Sequence, residues 1–263
     1  MDYAIVVKDL SKRYYLYHGD RPWTLHETLV RGFCRLKPRE QFWALSDVSF
    51  SVAPGRVVGV IGSNGSGKST LLRLIAGVGR ADAGYIKVSQ RIGGLLDLGT
   101  GFHPDLTGRE NILVNGVISG LTRREVARCF DSIVAFAELE SFIDNPIRTY
   151  STGMQMRLGF AIAIHARPEM LLIDEILSVV DHSFQRKCLE RIKQFKNEGC
   201  TILIVSHDTG QIGEFCDEAI WLKSGKLVIH DRPDVVVDRY ITAADAAMNQ
   251  SVSVGEETTQ APE

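Results

Sequence analysis

Residues 57–75 read VVGVIGSNGSGKSTLLRLI, and this stretch decides the fold. VVGVI is a short, wholly apolar run, the pattern of a buried parallel strand that enters a tight turn. LLRLIAG, closed by Gly77, has helical periodicity. Between them Gly62-Ser63-Asn64-Gly65-Ser66-Gly67-Lys68-Ser69 matches GxxxxGK[ST], with Thr70 next in line. Glycines let a loop wrap close to phosphate, so that its N–H groups and the following helix N-terminus face the anion. In such a loop Gly62 to Thr70 bind the nucleotide, Lys68 reaches its outer phosphates, and the Ser69 hydroxyl ligates Mg²⁺.

A phosphate loop of this kind needs an acidic strand end to hold the magnesium. The run Met170-Leu171-Leu172-Ile173-Asp174-Glu175 supplies one, 105 residues beyond Ser69. Asp174 is placed to orient Mg²⁺ through its water shell, and Glu175 to polarise the attacking water.

Outward from these two strands the chain alternates. Residues 4–9 and 46–52 read as strands, as do 85–90, 201–205, 218–222 and 227–230, with Lys223-Ser224-Gly225-Lys226 as a turn. Residues 109–145 and 154–166 have helical period, and Thr122 with Glu125 makes a capping box. Alternating strands and helices around short apolar strands predict an α/β fold with a largely parallel sheet. Within residues 15–43, Leu25, Leu29, Phe33 and Leu36 give a short amphipathic helix, and four basic residues with no acid lie between Arg31 and Arg39. That helix reads either as a solvated element packed on the domain or as one close to anionic headgroups. From about Asn249 the sequence is polar and acidic, and residues 247–263 are expected to form a disordered acidic tail.

Composition narrows the function classes. Of 263 residues 44% are hydrophobic and 24% charged, which is globular; 30 Lys and Arg against 32 Asp and Glu leave a formal charge of −2, so no global field draws the chain to nucleic acid. The N-terminus lacks a signal-peptide pattern, and no apolar stretch approaches the roughly 20 residues of a membrane span, so the chain is expected to be soluble and cytoplasmic. Five cysteines without a CxxC argue against a disulfide framework and a structural zinc site.

With these landmarks in place, the chain resembles the ATP-binding subunits of ABC transporters from residue 1 to about 240. Ser151-Thr152-Gly153-Met154-Gln155-Met156-Arg157 is similar to the ABC signature LSGGQ: Ser151 and Gly153 match, while Tyr150, Thr152 and Met154 depart from it. His207 resembles the switch histidine that contacts the γ-phosphate, and it stands 32 residues past Glu175. Asp181 resembles the D-loop aspartate, and Tyr14 the aromatic that stacks on adenine, with Tyr15 as the competing choice. The family's magnesium-sensing glutamine is missing between the loop and the signature; Asp97 is the candidate for part of its role.

The resemblance implies an ABC-type P-loop NTPase over residues 1–246. Its core sheet would be mostly parallel, with an antiparallel β subdomain, an α-helical subdomain at about 100–165 and an N-terminal insertion at about 15–43. It also implies ATP hydrolysis with Mg²⁺ by Glu175 and His207, in a head-to-tail homodimer whose second copy brings Ser151, Gly153 and Asp181 to the nucleotide. The strings LDLGTGFHPDLTGREN, FWALSDVSF and VVDHSFQRKC resemble one branch in particular, the subunits that export lipid-linked polysaccharides such as O-antigen, capsule or teichoic acid. Some members of that branch continue into a carbohydrate-binding β-sandwich, for which this chain is expected to be too short. Such a subunit works at the cytoplasmic face of the inner membrane with a separate transmembrane permease, docked here through residues 95–145, and with a lipid-linked glycan as cargo. The rival readings are an ABC exporter of lipid, drug or peptide, and a soluble ABC ATPase of DNA repair or the ribosome.

Overall fold

The computed structural model describes residues 3–16, 40–95, 101–174, 181–206 and 208–257. Their strands form two sheets. In the smaller, β1 (Ile5–Leu16) lies between β2 (Glu40–Val52) and β4 (Ala83–Val88), antiparallel to both. The larger has the order β5-β6-β7-β3-β8-β9, from β3 (Val57–Ile61), β5 (Ile92–Leu95), β6 (Met170–Ile173), β7 (Thr201–Val205), β8 (Glu218–Lys223) and β9 (Lys226–Asp231). Only β9 runs antiparallel in it.

The apolar runs of the central strands follow from burial on both faces, which a parallel sheet covered by helices requires. Successive side chains point to opposite faces, and the residues divide accordingly. Val58, Val60, Met170, Leu172, Leu203, Val205, Ile220 and Leu222 join the core beneath the antiparallel sheet and α1 (Lys68–Ile75). Val57, Ile61, Leu171, Ile173, Ile202, Ile204, Ala219 and Trp221 join a second core under α5 (His182–Asn197), α6 (Thr209–Phe215) and α7 (Pro233–Glu257). A third core fills the space among α2 (Gly108–Ile118), α3 (Arg123–Ala137) and α4 (Thr152–His165). Thr122 and Glu125 form the expected capping box, and Thr107 with Glu110 forms another at the start of α2. The turn at 223–226 also stands, with Ser224 at φ 49° and Gly225 at φ 77° joining a two-residue hairpin.

Several boundaries differ from the sequence reading. The antiparallel pair is longer, because pairing continues through Tyr14 with Phe42, Tyr15 with Gln41 and Leu16 with Glu40. The basic amphipathic helix expected at 23–39 lies outside the described residues, as does Asp97. Strand β5 was not anticipated, since IGGL offers little strand propensity; its backbone is held by parallel pairing to β6. Helix α7 continues through 247–257, within the stretch expected as a tail; adding residues to an existing helix avoids the cost of nucleation. Residues 258–263 lie outside the described residues. No helix among the described residues is long and apolar enough to cross a membrane.

Candidate nucleotide site

At the carboxyl end of β3, the loop is shaped by three glycines with φ of 152° (Gly62), 77° (Gly65) and 104° (Gly67). A Cβ on Gly62 would fall 2.2 Å from Leu222 O, and one on Gly67 2.5 Å from Ala44 O, so β8 and β2 press on the loop from two sides. The β8–β9 turn braces it: Gly225 N–H donates to Ser66 O at 3.0 Å, and Ser46 N–H donates to Gly225 O at 2.8 Å. Gly65 has nothing within 4 Å of where its Cβ would be, which leaves the outer side of the loop open.

This open side suits an anion. Gly67 caps α1 without a side-chain acceptor, and no acidic residue stands in the first turn, so neither competes for the helix N-terminus. The Lys68 ammonium lies folded over the loop, donating to Gly62 O at 2.7 Å and Ser63 O at 3.0 Å. Burial pushes its pKa below the usual lysine value, while the charge of Asp174 opposes that shift. A buried cation held by two neutral carbonyls would gain from an anionic acceptor. Asp174 follows directly on β6, four fully buried apolar residues that fix where the carboxylate emerges.

A cleft of about 250 Å³ is lined by residues 64–70 on one side and by Tyr14, Phe42 and Ala44 on the other. Tyr14 and Phe42 face each other across the β1–β2 pair, ring centroids 5.9 Å apart and planes 32° apart. Tyr15 does not line the cleft; its ring lies 5.2 Å from the Arg13 guanidinium, as the alternation of a strand demands. Phe42 and Ala44 line the cleft although sequence reasoning missed both; only the register of Phe42 against Tyr14 marks that stretch of β2. A larger groove of about 550 Å³ opens beside Glu169 and Cys200, at the opposite ends of β6 and β7, and contains none of these residues. Ligands of open α/β sheets bind at the carboxyl ends, so the smaller cleft is the chemically equipped one.

Ser151, Gly153 and Asp181 do not line this cleft. Ser151 is the exposed N-cap of α4, its hydroxyl accepting from Met154 N–H at 3.2 Å. Asp181 is the exposed N-cap of α5 and accepts from Ser183 Oγ at 2.6 Å and Phe184 N–H at 2.9 Å. The Ser183 hydroxyl bond, then the Phe184 amide, hold its carboxyl below the usual aspartate range. Glu175 and His207 lie outside the described residues.

The profile of the ABC transporter family matches residues 45–178. The O-antigen export system ATP-binding protein RfbB of Myxococcus xanthus is 44% identical over 254 residues, covering 95% of this chain and 58% of that protein. Its namesake in Klebsiella pneumoniae is 44% identical over 231 residues, 86% of this chain and 93% of that protein. The teichoic acids export ATP-binding protein TagH of Bacillus anthracis is 39% identical, over 91% of this chain and 43% of that protein. Thus the chain spans a little over half of the Myxococcus relative and nearly all of a Klebsiella one. Among solved structures, the dimeric post-hydrolysis state of the ATP-binding cassette MJ0796 bound to ADP and Pi superposes with a TM-score of 0.69 at 22% identity, over 87% of this chain and 98% of that one. That likeness shows the shared fold: a parallel core sheet with an antiparallel sheet and a helical layer. The chain belongs to the ABC transporter family and is one of its ATPase cassettes.

Proposed function

We propose that this chain is the ATP-hydrolysing subunit of an exporter that moves a lipid-linked polysaccharide across the cytoplasmic membrane. It would work peripherally at the cytoplasmic face with a separate transmembrane permease. The observation that carries the catalytic part is the open phosphate loop, with its uncapped helix N-terminus, its buried Lys68 and the adjoining Tyr14–Phe42 wall. The cargo is supported by likeness to relatives named for O-antigen and teichoic acid export.

In this reading adenine stacks against Tyr14 with Phe42 beside it, and the triphosphate lies along residues 62–70. Lys68 exchanges its two carbonyl partners for phosphate oxygens. Mg²⁺, when bound, neutralises charge on the phosphates; the Ser69 hydroxyl and the Asp174 carboxylate are the donors that fit it, an all-oxygen set suited to a hard cation that keeps several waters. Glu175 polarises the attacking water and His207 contacts the γ-phosphate. Since Ser151, Gly153 and Asp181 lie away from the cleft of their own chain, they serve the nucleotide of a second, head-to-tail copy. Positioning and charge stabilisation then carry most of the rate.

Permease docking has a candidate surface on α2. Leu113, Val114, Val117 and Ile118 form one apolar stripe on this helix, and Ile118 is 74% exposed. Side chains at such spacings share a face, and a contiguous exposed apolar patch marks an interaction surface.

The test is affinity isolation of the subunit from native membranes, followed by identification of the bound membrane protein and its lipid-linked material. A multi-span permease with a glycolipid is expected. A permease with another cargo would discard the polysaccharide assignment, and a ribosome or DNA complex would overturn transport altogether.

A further inference from the structure

Three helices meet at one knot. Phe136 of α3, Phe160 of α4 and Phe184 of α5 pack ring against ring, with centroids 5.9, 5.7 and 6.2 Å apart. Two cations cover them: the Arg157 guanidinium lies 5.1 Å from the Phe184 ring and the Lys187 ammonium 4.6 Å from the Phe136 ring. Each also reaches the end of α3, where Arg157 Nε donates to Ala137 O at 2.9 Å and Lys187 Nζ to Phe136 O at 2.9 Å.

One carboxylate closes the arrangement. Glu138, the left-handed C-cap of α3 at φ 55°, accepts from Arg157 Nη2 with one oxygen and from Lys187 Nζ at 3.1 Å with the other. Arg157 belongs to the helix that Ser151 caps; Lys187 belongs to the helix that Asp181 caps, and the Phe184 N–H itself bonds Asp181. Glu138 touches neither cap, yet it bridges both helices that present them.

We propose that Glu138 is a positioning residue: by joining Arg157 to Lys187 it holds the Ser151 and Asp181 caps as one rigid edge, the edge that a second copy must meet across ATP. The inference rests on the head-to-tail reading above. Because Glu138 acts on the edge and not on the phosphate loop, its loss weakens ATP-driven pairing and leaves nucleotide binding to the single chain unchanged. The half-exposed Glu138 bridge as a whole is worth about threefold in an equilibrium constant, and a symmetric dimer contains it twice, so the dimer dissociation constant should rise about tenfold.

The test uses the full chain carrying Glu175→Gln, with ATP present, and measures the dimer dissociation constant by sedimentation velocity. ATP affinity is measured separately, at concentrations where the chain is monomeric. Glu138→Ala should raise the dimer constant about tenfold with ATP affinity unchanged within twofold, and Glu138→Gln, which keeps an acceptor without the charge, should fall between. Lys187→Met should weaken pairing similarly, and combining it with Glu138→Ala should add little, since both remove one bridge. Unchanged pairing in Glu138→Ala overturns the proposal. So does a joint fall of pairing, ATP affinity and thermal stability, which would mark a purely structural role. If the Glu175→Gln parent binds ATP yet stays monomeric at high concentration, the head-to-tail reading itself fails and this inference falls with it.

Discussion

Three glycines of one loop should respond to the same methyl group in different ways. Gly65→Ala places a Cβ in open space, so the folded protein bears only the conformational cost of φ 77°, about 1 kcal/mol. Gly62→Ala must adopt φ 152° and put its Cβ 2.2 Å from Leu222 O and 2.6 Å from Ser66 Oγ; Gly67→Ala must adopt φ 104° with its Cβ 2.5 Å from Ala44 O. A Cβ needs well over 3 Å from a backbone oxygen, so a strand or the loop must move by most of an ångström. Backbone strain of about 1–3 kcal/mol and overpacking of similar size then add to roughly 3 kcal/mol or more. Urea unfolding at 25 °C measures these losses, and titration with a fluorescent ATP analogue measures binding. Gly62→Ala and Gly67→Ala should lose both stability and binding. Gly65→Ala should keep nearly all its stability and still lose at least tenfold in affinity, because the open side of the loop is where phosphate approaches. Equal destabilisation by all three, or Gly65→Ala with unaltered ATP affinity, would refute the reasoning.

Tyr14→Ala and Phe42→Ala should each weaken ATP and ADP binding about tenfold, the worth of one aromatic contact, while Tyr15→Ala stays within twofold; the same titration decides it, and a larger effect at Tyr15 would reverse the assignment. His165 carries a pH signature: burial pushes its imidazole below the usual value of 6.5, its bond with Ala161 O works against that, and Arg191 adds to it. The unfolded chain therefore binds more protons as pH falls through 6.5, so stability drops from there toward the lower folded pKa. His165→Gln should flatten the stability profile between pH 7 and pH 5, and identical slopes in the two proteins would count against the assignment. Phe184→Ala, at the centre of the ring cluster, should cost about 3–5 kcal/mol in urea unfolding; a loss under 1 kcal/mol would mean that the three helices are not held there.

Much of the fold was legible in the chain because its signals are local. VVGVI, MLLI and ILIV are apolar throughout because both faces of their sheet are covered, and that pattern alone indicates parallel strands between helices. The loop at 62–69 needs glycine at positions that its neighbours on the sheet crowd, so its sequence carries the imprint of its contacts. The capping box at Thr122 was readable for the same reason: the donor, the acceptor and the helix start lie within four residues.

Tertiary structure alone decided the remainder, and in each case the deciding neighbour is distant in the chain. Tyr14 and Tyr15 are indistinguishable as sequence, and only antiparallel pairing with Phe42, 28 positions later, puts one in the cleft and the other under Arg13. Strand β5 has two glycines in four residues and exists because β6, some 78 positions on, offers it hydrogen bonds. Glu138 reads as an ordinary surface acid until α4 and α5 bring Arg157 and Lys187 to its two oxygens. A chain writes its short-range physics into residue type and spacing; which faces meet depends on closing long loops, and that cost and its return exist only in the folded whole.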